Sequence, residues 1–277
     1  MTSRLKSAIT TGAWAVALAV SGMGPLGAQA ASVTSLAVGI EATYPPMSYR
    51  DPATNESVGF NIDLMKALAK QMNVELTFQE MSFEQLTSSL TTGRIDVIGT
   101  AITDLPSRRA NLAFVDYLQT GAQMFTMVKY QHLGLTPEAF CGQAIGTPRT
   151  ANYFAELNAW NDKACVAAGN TAARVQGAAG AAAVRLDLQQ GRLSAAVLGP
   201  EYVKYLMSQE AGTYVLIGQP LSLHHFGFAV ARTHTGIRDD LAHALDALIA
   251  DGTYQNIAAR WGLQSQVVSQ ASIDSGQ

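Results

Sequence analysis

Apolar residues recur at helical spacing in several parts of the chain. Residues three or four positions apart lie on one face of an α-helix, and a face of this kind packs inward when the other positions are polar. The predicted apolar faces consist of Leu64, Leu68 and Met72; of Phe83, Leu86 and Leu90; of Ala181, Val184 and Leu188; of Ile237, Leu241, Leu245 and Leu248; and of Tyr254, Ile257, Ala258 and Trp261. Asn61 is the expected cap of the first helix, because its side chain can accept from free backbone N–H groups.

Short apolar runs between these helices predict buried strands. The runs cover residues 36–40, 95–99, 193–199 and 227–231. Two of them follow a glycine, Gly93 or Gly191, that can end the preceding helix in the left-handed conformation. A helix, a glycine and a buried parallel strand therefore occur twice in the same order, which predicts two similar α/β lobes.

The start of the chain has the pattern of a secretory signal peptide. Arg4 and Lys6 precede an uncharged run over residues 7–27, and small residues follow from Ala28. We therefore expect residues 1–30 to be removed on export, and the mature protein to be periplasmic or in an equivalent external space. The alternative is an uncleaved membrane anchor, which the polar and helix-breaking residues within the run disfavour.

Composition limits the possible partners. Removing residues 1–30 takes away two of the 18 basic residues and none of the 21 acidic ones, which leaves a formal charge of −5. A net negative chain argues against a nucleic-acid partner. The remaining length suits two lobes better than one enlarged core, and a hydrophobic content of 48% is enough to bury both.

Cys141 and Cys165 are the two cysteines of the chain. In an exported protein an even pair favours a disulfide, and the spacing matches neither a CxxC redox motif nor a zinc site. A bridge closing a loop of this length would stabilise the fold by roughly 3 kcal/mol in the chain-entropy description. Two separately buried thiols are the alternative.

Three short motifs together resemble the ligand-binding face of bacterial solute-binding proteins of family 3. They are Tyr44-Pro45-Pro46, the sequence GFNIDL at residues 59–64 and the sequence RIDVI at residues 94–98. The resemblance extends from residue 36 to residue 263. It implies a type II periplasmic-binding fold, in which two α/β lobes, each a mainly parallel sheet flanked by helices, are joined by two crossover strands.

The same resemblance implies a discontinuous division of the chain. The expected parts are lobe 1 (residues 31–128 and 226–265), lobe 2 (residues 129–225) and a flexible polar tail (residues 266–277). The crossings are expected near residues 128–131 and 222–225. The implied function is that of a periplasmic receptor that needs no cofactor or metal and acts as a monomer. It would capture a small, amino-acid-like ligand between closing lobes and deliver it to the membrane permease of an ABC importer.

Arg108 is the residue expected to hold the carboxylate of the ligand. The segment around it resembles the family loop in which a hydroxyl group, backbone groups and one arginine bind the α-carboxylate, and it also contains Thr100, Ala101 and Thr103. A guanidinium matches a carboxylate with two parallel donors. The alternative for Arg108 is a surface ion pair, and its neighbour Arg109 is expected to be solvated.

Aromatic and polar residues complete the expected site. Tyr44 and Phe83 match positions that sandwich the ligand's side chain in the family, although either residue could instead belong to the core. Asn152 falls where the family has a threonine at a helix start, a place whose free amides suit an anion. The family's glycine is absent from this loop, so backbone contacts at Asn152 stay open.

Gly199 departs from the family's pattern. Amino-acid receptors of the family have an aspartate at this position that accepts hydrogen bonds from the α-ammonium group, and glycine cannot do so. Glu201 or Glu41 could supply the negative charge instead, and the alternative for each is a solvent-facing carboxylate. The ligand's ammonium group is therefore expected to be absent or to be bound in an unusual way.

Two other classes of function stay open. Secreted cyclohexadienyl dehydratases resemble these receptors, and carboxylates in a cleft can perform acid–base chemistry. A ligand-sensing partner of a membrane signalling protein is the other alternative. The mature chain has no Gly-x-Ser-x-Gly, HExxH or Walker motif. His224 and His225 are adjacent on a predicted strand and point to opposite faces, which favours a hinge or surface role over a metal site.

Overall fold

The computed structural model describes residues 1–2 and 34–276, so nearly all of the predicted signal peptide lies outside the described residues. The strands are β1 (Ser35–Ile40), β2 (Thr43–Tyr44), β3 (Ser48–Arg50), β4 (Ser57–Val58), β5 (Glu75–Glu80), β6 (Val97–Ile98), β7 (Leu112–Gly121), β8 (Gln123–Met127), β9 (Ala144–Pro148), β10 (Arg174–Ala178), β11 (Ala195–Leu198), β12 (Tyr214–Leu216), β13 (Leu223–Ala231) and β14 (Val267–Ile273). The helices are α1 (Phe60–Met72), α2 (Phe83–Thr91), α3 (Tyr153–Trp160), α4 (Ala181–Gln189), α5 (Pro200–Gln209), α6 (Thr235–Ala250) and α7 (Thr253–Arg260).

Two large sheets form the framework. The first has six strands in the order β14-β7-β13-β6-β1-β5, and the second has five in the order β10-β9-β11-β8-β12. In each sheet the strand next to one edge, β1 or β9, has parallel partners on both sides, while the remaining strands pair antiparallel. A small sheet, β2-β3-β4, follows β1. The predicted class, two α/β lobes with helices on their sheets, is confirmed.

The predicted helix faces lie in the cores. Leu64 and Leu68 of α1 and Leu241 and Leu245 of α6 are all fully buried in the core of the first sheet. The second sheet has its own buried clusters on its two faces, and these include Val184 of α4 and Leu157 of α3. No described helix is long and apolar enough to cross a membrane.

Two glycines end helices as predicted, and one predicted cap is wrong. Gly93 and Gly191 follow α2 and α4 with φ of 72° and 74°, the left-handed conformation that glycine adopts without strain. Asn61, the expected cap of α1, lies instead inside the helix and is buried. The helix begins at Phe60 with Gly59 as its cap. Gly59 has φ of 133°, and an added Cβ there would lie 2.3 Å from the carbonyl oxygen of Met47, so the position suits glycine.

The chain crosses between the sheets at Ala122 and returns through residues 217–222. The first crossing lies before the predicted position at residues 128–131, where the structure has a 3₁₀ turn. The expected boundary at residue 128 is therefore wrong, because β8 pairs in the second sheet. The two crossings touch, since Leu221 donates its N–H to the carbonyl oxygen of Ala122 over 2.8 Å.

The predicted flexible tail is also wrong for most of its length. Val267–Ile273 forms β14, which pairs antiparallel with β7 at the edge of the first sheet. An exposed edge strand needs apolar residues on one face alone, so its polar composition did not reveal it. Beyond β14, the hydroxyl and N–H of Ser275 both donate to Asp116 Oδ2, over 2.5 and 3.1 Å.

Arg109 binds the end of this segment, so the expectation that it is solvated is wrong. Its guanidinium donates two hydrogen bonds of 2.7 Å to the carboxylate of Asp104, which is fully buried, and a third to the carbonyl oxygen of Gly276. Asp104 also accepts the N–H of Gly276 over 2.8 Å. Arg109 therefore neutralises a buried carboxylate and ties the chain's last described residue to the loop around Arg108.

Cys141 and Cys165 form the predicted disulfide, which closes a loop containing β9 and α3.

Each large sheet also carries one of the tryptophans among the described residues. Trp160 ends α3 and packs against a core of the second sheet. Trp261 follows α7, packs against the core of the first sheet and donates its indole N–H to Asp63 Oδ2 over 3.0 Å.

Candidate functional site

A cavity of about 370 Å³ lies between the ends of strands from both large sheets. Loops after β1, β6, β9 and β10 line it, which is the usual place for a ligand in open α/β sheets. The predicted site residues that line the cavity are Glu41, Tyr44, Phe83, Thr100, Ala101, Thr103, Arg108 and Asn152. Gly199 and Glu201 are not among its lining residues.

Arg108 faces the cavity without a carboxylate partner among the described residues, so the surface ion pair considered as its alternative is absent. Its Nη1 donates to the carbonyl oxygen of Thr103 over 2.7 Å, and its guanidinium carbon lies 5.8 Å from the centre of the Phe83 ring. Burial lowers the pKa of Arg108 from its ordinary value, but arginine stays cationic at neutral pH. The remaining N–H groups are free to donate to an anion.

Two carboxylates form an acidic wall of the same cavity. Glu41 follows β1, and Glu84 lies in the first turn of α2. Burial raises the pKa of Glu41, the charge of Glu84 raises it further, and a hydrogen bond from the backbone of Phe83 partly offsets both effects. Neither carboxylate forms an ion pair with any described residue. Together they give the cavity a wall of acceptors that suits a positive group.

Tyr44 forms part of the cavity wall and also reaches the second sheet. Its ring packs against cores of both large sheets and stacks on Tyr202 at 5.0 Å. Its hydroxyl donates to Glu201 Oε1 over 2.9 Å and accepts the N–H of Gly199 over 3.2 Å. The predicted role of Glu201 as a direct acceptor for the ligand is therefore wrong, because Tyr44 stands between its carboxylate and the cavity.

Asn152 lies at the start of α3 on the opposite wall. Its Nδ2 donates to Glu156 Oε1 over 2.6 Å, and Glu156 also accepts from Ser222 and contacts His224 Nε2 over 2.9 Å. Burial raises the pKa of Glu156, but these hydrogen bonds outweigh it and leave the pKa below the ordinary value of 4.5. His224 thus lies at the start of β13, just after the second crossing, in contact with a residue of α3.

Several lining residues were missed from the sequence. They are Thr43, Glu84, Pro148, Thr150, Ala151, Tyr153, residues 179–183 and Phe226. Glu84 and Tyr153 each follow a residue that was predicted, in the first turn of a helix that starts at the cavity. The segment 179–183 consists of the link between β10 and α4 and the first turn of α4, so the rule that loops after parallel strands face the cleft would have found it. Its first helical N–H groups have no side-chain cap.

The arrangement suits reversible binding of a small zwitterion or cation. Arg108, the threonine hydroxyls and the starts of α3 and α4 offer donors to an anionic group. Glu41 and Glu84 offer acceptors to a cationic group, and Tyr44, Phe83 and Tyr153 offer apolar ring surface between them. The arrangement defines a receptor in which two α/β lobes hold a small solute between them.

The chain belongs to the bacterial extracellular solute-binding proteins, family 3, whose family model matches residues 36–264. It is 29% identical over 251 residues to ABC transporter arginine-binding protein 1 of Escherichia coli K12, a match covering 84% of this chain and 92% of the relative. It is 28% identical to the L-arginine-binding protein of Pseudomonas aeruginosa, covering 85% and 94%.

A solved structure of an ancestral arginine-binding protein bound to arginine has the same fold. It superimposes with a TM-score of 0.70 and 26% identity, and the match covers 83% of this chain and 99% of that one. The resemblance to family 3 and its two-lobed fold are thus confirmed.

Proposed function

We propose that this protein captures a cationic α-amino acid of the arginine type in the periplasm and delivers it to the permease of an ABC importer. One observation carries the choice of ligand. The charged residues lining the cavity are Arg108, Glu41 and Glu84, one positive and two negative, and none of them is paired with a charged residue of the described chain. Arginine is complementary in net charge, since its carboxylate and two cationic groups sum to +1 and these three residues sum to −1.

Other observations support this proposal. Both relatives described above are named as arginine-binding proteins, and each match covers more than 80% of this chain. Arg108 would hold the α-carboxylate, with Thr100, Ala101, Thr103 and Asn152 beside it. Tyr44 and Phe83 would cover the aliphatic part of the ligand, and Glu41 with Glu84 would hold its guanidinium group. Closure of the lobes would then exclude water from these charges.

Isothermal titration of the mature protein with three related ligands tests the assignment. L-arginine should bind tightly. L-citrulline keeps the shape but lacks the guanidinium charge, and agmatine lacks the carboxylate, so each should bind at least about tenfold more weakly. Equal affinities for L-arginine and L-citrulline would remove the acidic wall from the mechanism. No heat and no thermal stabilisation with L-arginine, L-lysine or L-histidine would overturn the proposed ligand class.

A further inference from the structure

Because Gly199 has no side chain, the carboxylate of Glu201 has room beside it. An added Cβ at Gly199 would lie 1.7 Å from Glu201 Oε1 and 2.5 Å from its carboxyl carbon. The backbone of Gly199 has φ of −63° and ψ of 144°, which every residue adopts. Glycine is therefore required here for room and not for its conformation. The side chain of Glu201, in the first turn of α5, folds back over the start of its own helix.

The carboxylate of Glu201 is fully buried and receives its side-chain donors from the region of the first sheet. Tyr44 donates over 2.9 Å, Thr120 of β7 over 3.0 Å, and Gln266, just before β14, over 3.3 Å. Its helix α5 packs in a core of the second sheet through Tyr202, Val203 and Leu206. A buried carboxylate needs such partners, because losing water without replacing its hydrogen bonds is costly. Glu201 thus links the two sheets through three donors.

Tyr44 connects Glu201 to the cavity wall. Its hydroxyl group donates to Glu201 and accepts from the N–H of Gly199. Both partners belong to the part of the chain that packs on the second sheet. The ring is then held in one orientation, with one part on the cavity wall and another stacked on Tyr202. Without the carboxylate, the hydroxyl of Tyr44 would lose its acceptor and the ring would lose its anchor.

We propose that Glu201 is a positioning residue for ligand binding, which holds Tyr44 in the cavity wall and joins the two lobes, and that Gly199 is its necessary small partner. This proposal rests on the proposed function only in its choice of L-arginine as the probe. The contacts involved are all between residues of the protein, so we expect them to join the lobes in the ligand-free protein as well.

A double-mutant cycle between Gly199 and Glu201 tests the proposal by titration with L-arginine. Glu201→Ala should weaken binding by about tenfold, because Tyr44 loses its acceptor. Glu201→Gln keeps an acceptor oxygen and should stay within about threefold of wild type. Gly199→Ala should weaken binding much as Glu201→Ala does, since it displaces the carboxylate, but should add nothing in the Glu201→Ala background. Gly236→Ala, where an added Cβ meets open space, is the matched control.

Two results would overturn the proposal. Losses from Gly199→Ala and Glu201→Ala that simply add would show that the two positions act separately. A melting temperature lowered by Glu201→Ala with an unchanged affinity would show a structural role alone. If wild type does not bind L-arginine, the proposed ligand is wrong. Small-angle scattering of the ligand-free proteins then tests whether Glu201 joins the two lobes. Glu201→Ala should then have a larger radius of gyration than wild type and Glu201→Gln, and equal radii would overturn the link.

Discussion

Thr103 Oγ1 donates a hydrogen bond to Asn152 Oδ1 over 3.1 Å, across the cavity from one sheet to the other. Thr103 lies in the loop after β6, and its carbonyl oxygen accepts from Arg108. Asn152 lies at the start of α3 and is held by Glu156. The residue expected to bind the ligand's carboxylate is therefore placed by a chain of contacts that begins on the opposite wall.

Arg108→Ala should abolish binding of L-arginine while leaving the fold intact. A carboxylate enclosed by the two lobes would lose its paired charge, a cost of about 3 to 5 kcal/mol in binding free energy. Titration calorimetry measures the loss, and thermal unfolding of the ligand-free variant checks the fold. Arg94→Ala is the matched control, because Arg94 is exposed and away from the cavity lining.

Arg109→Ala is unsuitable as that control, since it would leave the buried carboxylate of Asp104 without its cation. An Arg108→Ala variant with wild-type affinity would remove the carboxylate assignment.

Glu41→Gln should weaken binding of L-arginine by about 1 to 3 kcal/mol, because a charged acceptor is replaced by a neutral one. The same change should scarcely affect L-citrulline, which carries no positive charge at that end. Titrating both ligands into both proteins gives the comparison, and Glu138→Gln on the exposed surface is the control. Equal losses for the two ligands would place the cationic group elsewhere in the cavity.

Asp116→Asn should change the pH dependence of stability. Burial, together with the charge of Asp104, raises the pKa of Asp116 from 3.8 to about 7 in the folded protein. A raised folded pKa gives stability that is complete below about pH 4 and is lost as the pH rises to about 7. Wild type should therefore lose up to about 4 kcal/mol relative to Asp116→Asn between pH 4 and pH 8. Urea unfolding across this range measures it, and parallel profiles for the two proteins would contradict it.

Gly276→Ala should lower stability through a clash at the end of the chain. An added Cβ would lie 2.2 Å from the backbone carbonyl oxygen of Asp104, which has little freedom to move. Overpacking of this kind costs about 1 to 3 kcal/mol, and the displaced segment would also release Arg109. Chemical denaturation compares it with Gly236→Ala. Equal stability of the two variants would mean that the last residues are not held as described.

Protein recovered from the periplasm should begin at or near Ala31 and have no free thiol. Intact mass before and after alkylation decides both points. Alkylation of Cys141 and Cys165 without prior reduction would show that the bridge is absent in solution.

Residues whose structural position follows from the local sequence pattern could be predicted from the sequence. The helices containing Leu64 and Leu241 were found because their apolar spacing is strong, and Gly93 and Gly191 because a helix end favours one residue type. Arg108 and Phe83 were placed on the cavity because the family resemblance aligns their loops. These features depend on residues near one another in the chain.

Features that depend on distant partners were missed or misplaced. Arg109 looks like a solvated neighbour of Arg108 until Gly276 and Asp104 are brought beside it. Glu201 looks like an exposed carboxylate until Tyr44 and Thr120 close over it. The strand at Val267–Ile273 has little apolar pattern because it lies at a sheet edge. In each case the deciding contact joins residues far apart in sequence.

Two tryptophans in the described part of the chain provide an optical signal that needs no added dye. Trp160 and Trp261 are the indoles among the described residues, one packed on each sheet, and Tyr49 lies beside the second of them. Tyr49 meets the ring of Trp261 edge to face at 6.2 Å, and Tyr205 of α5 lies 6.0 Å from Tyr49. A change in the angle between the sheets would alter the contact between Tyr49 and Tyr205, and the emission of Trp261, which packs on Tyr49, would report it.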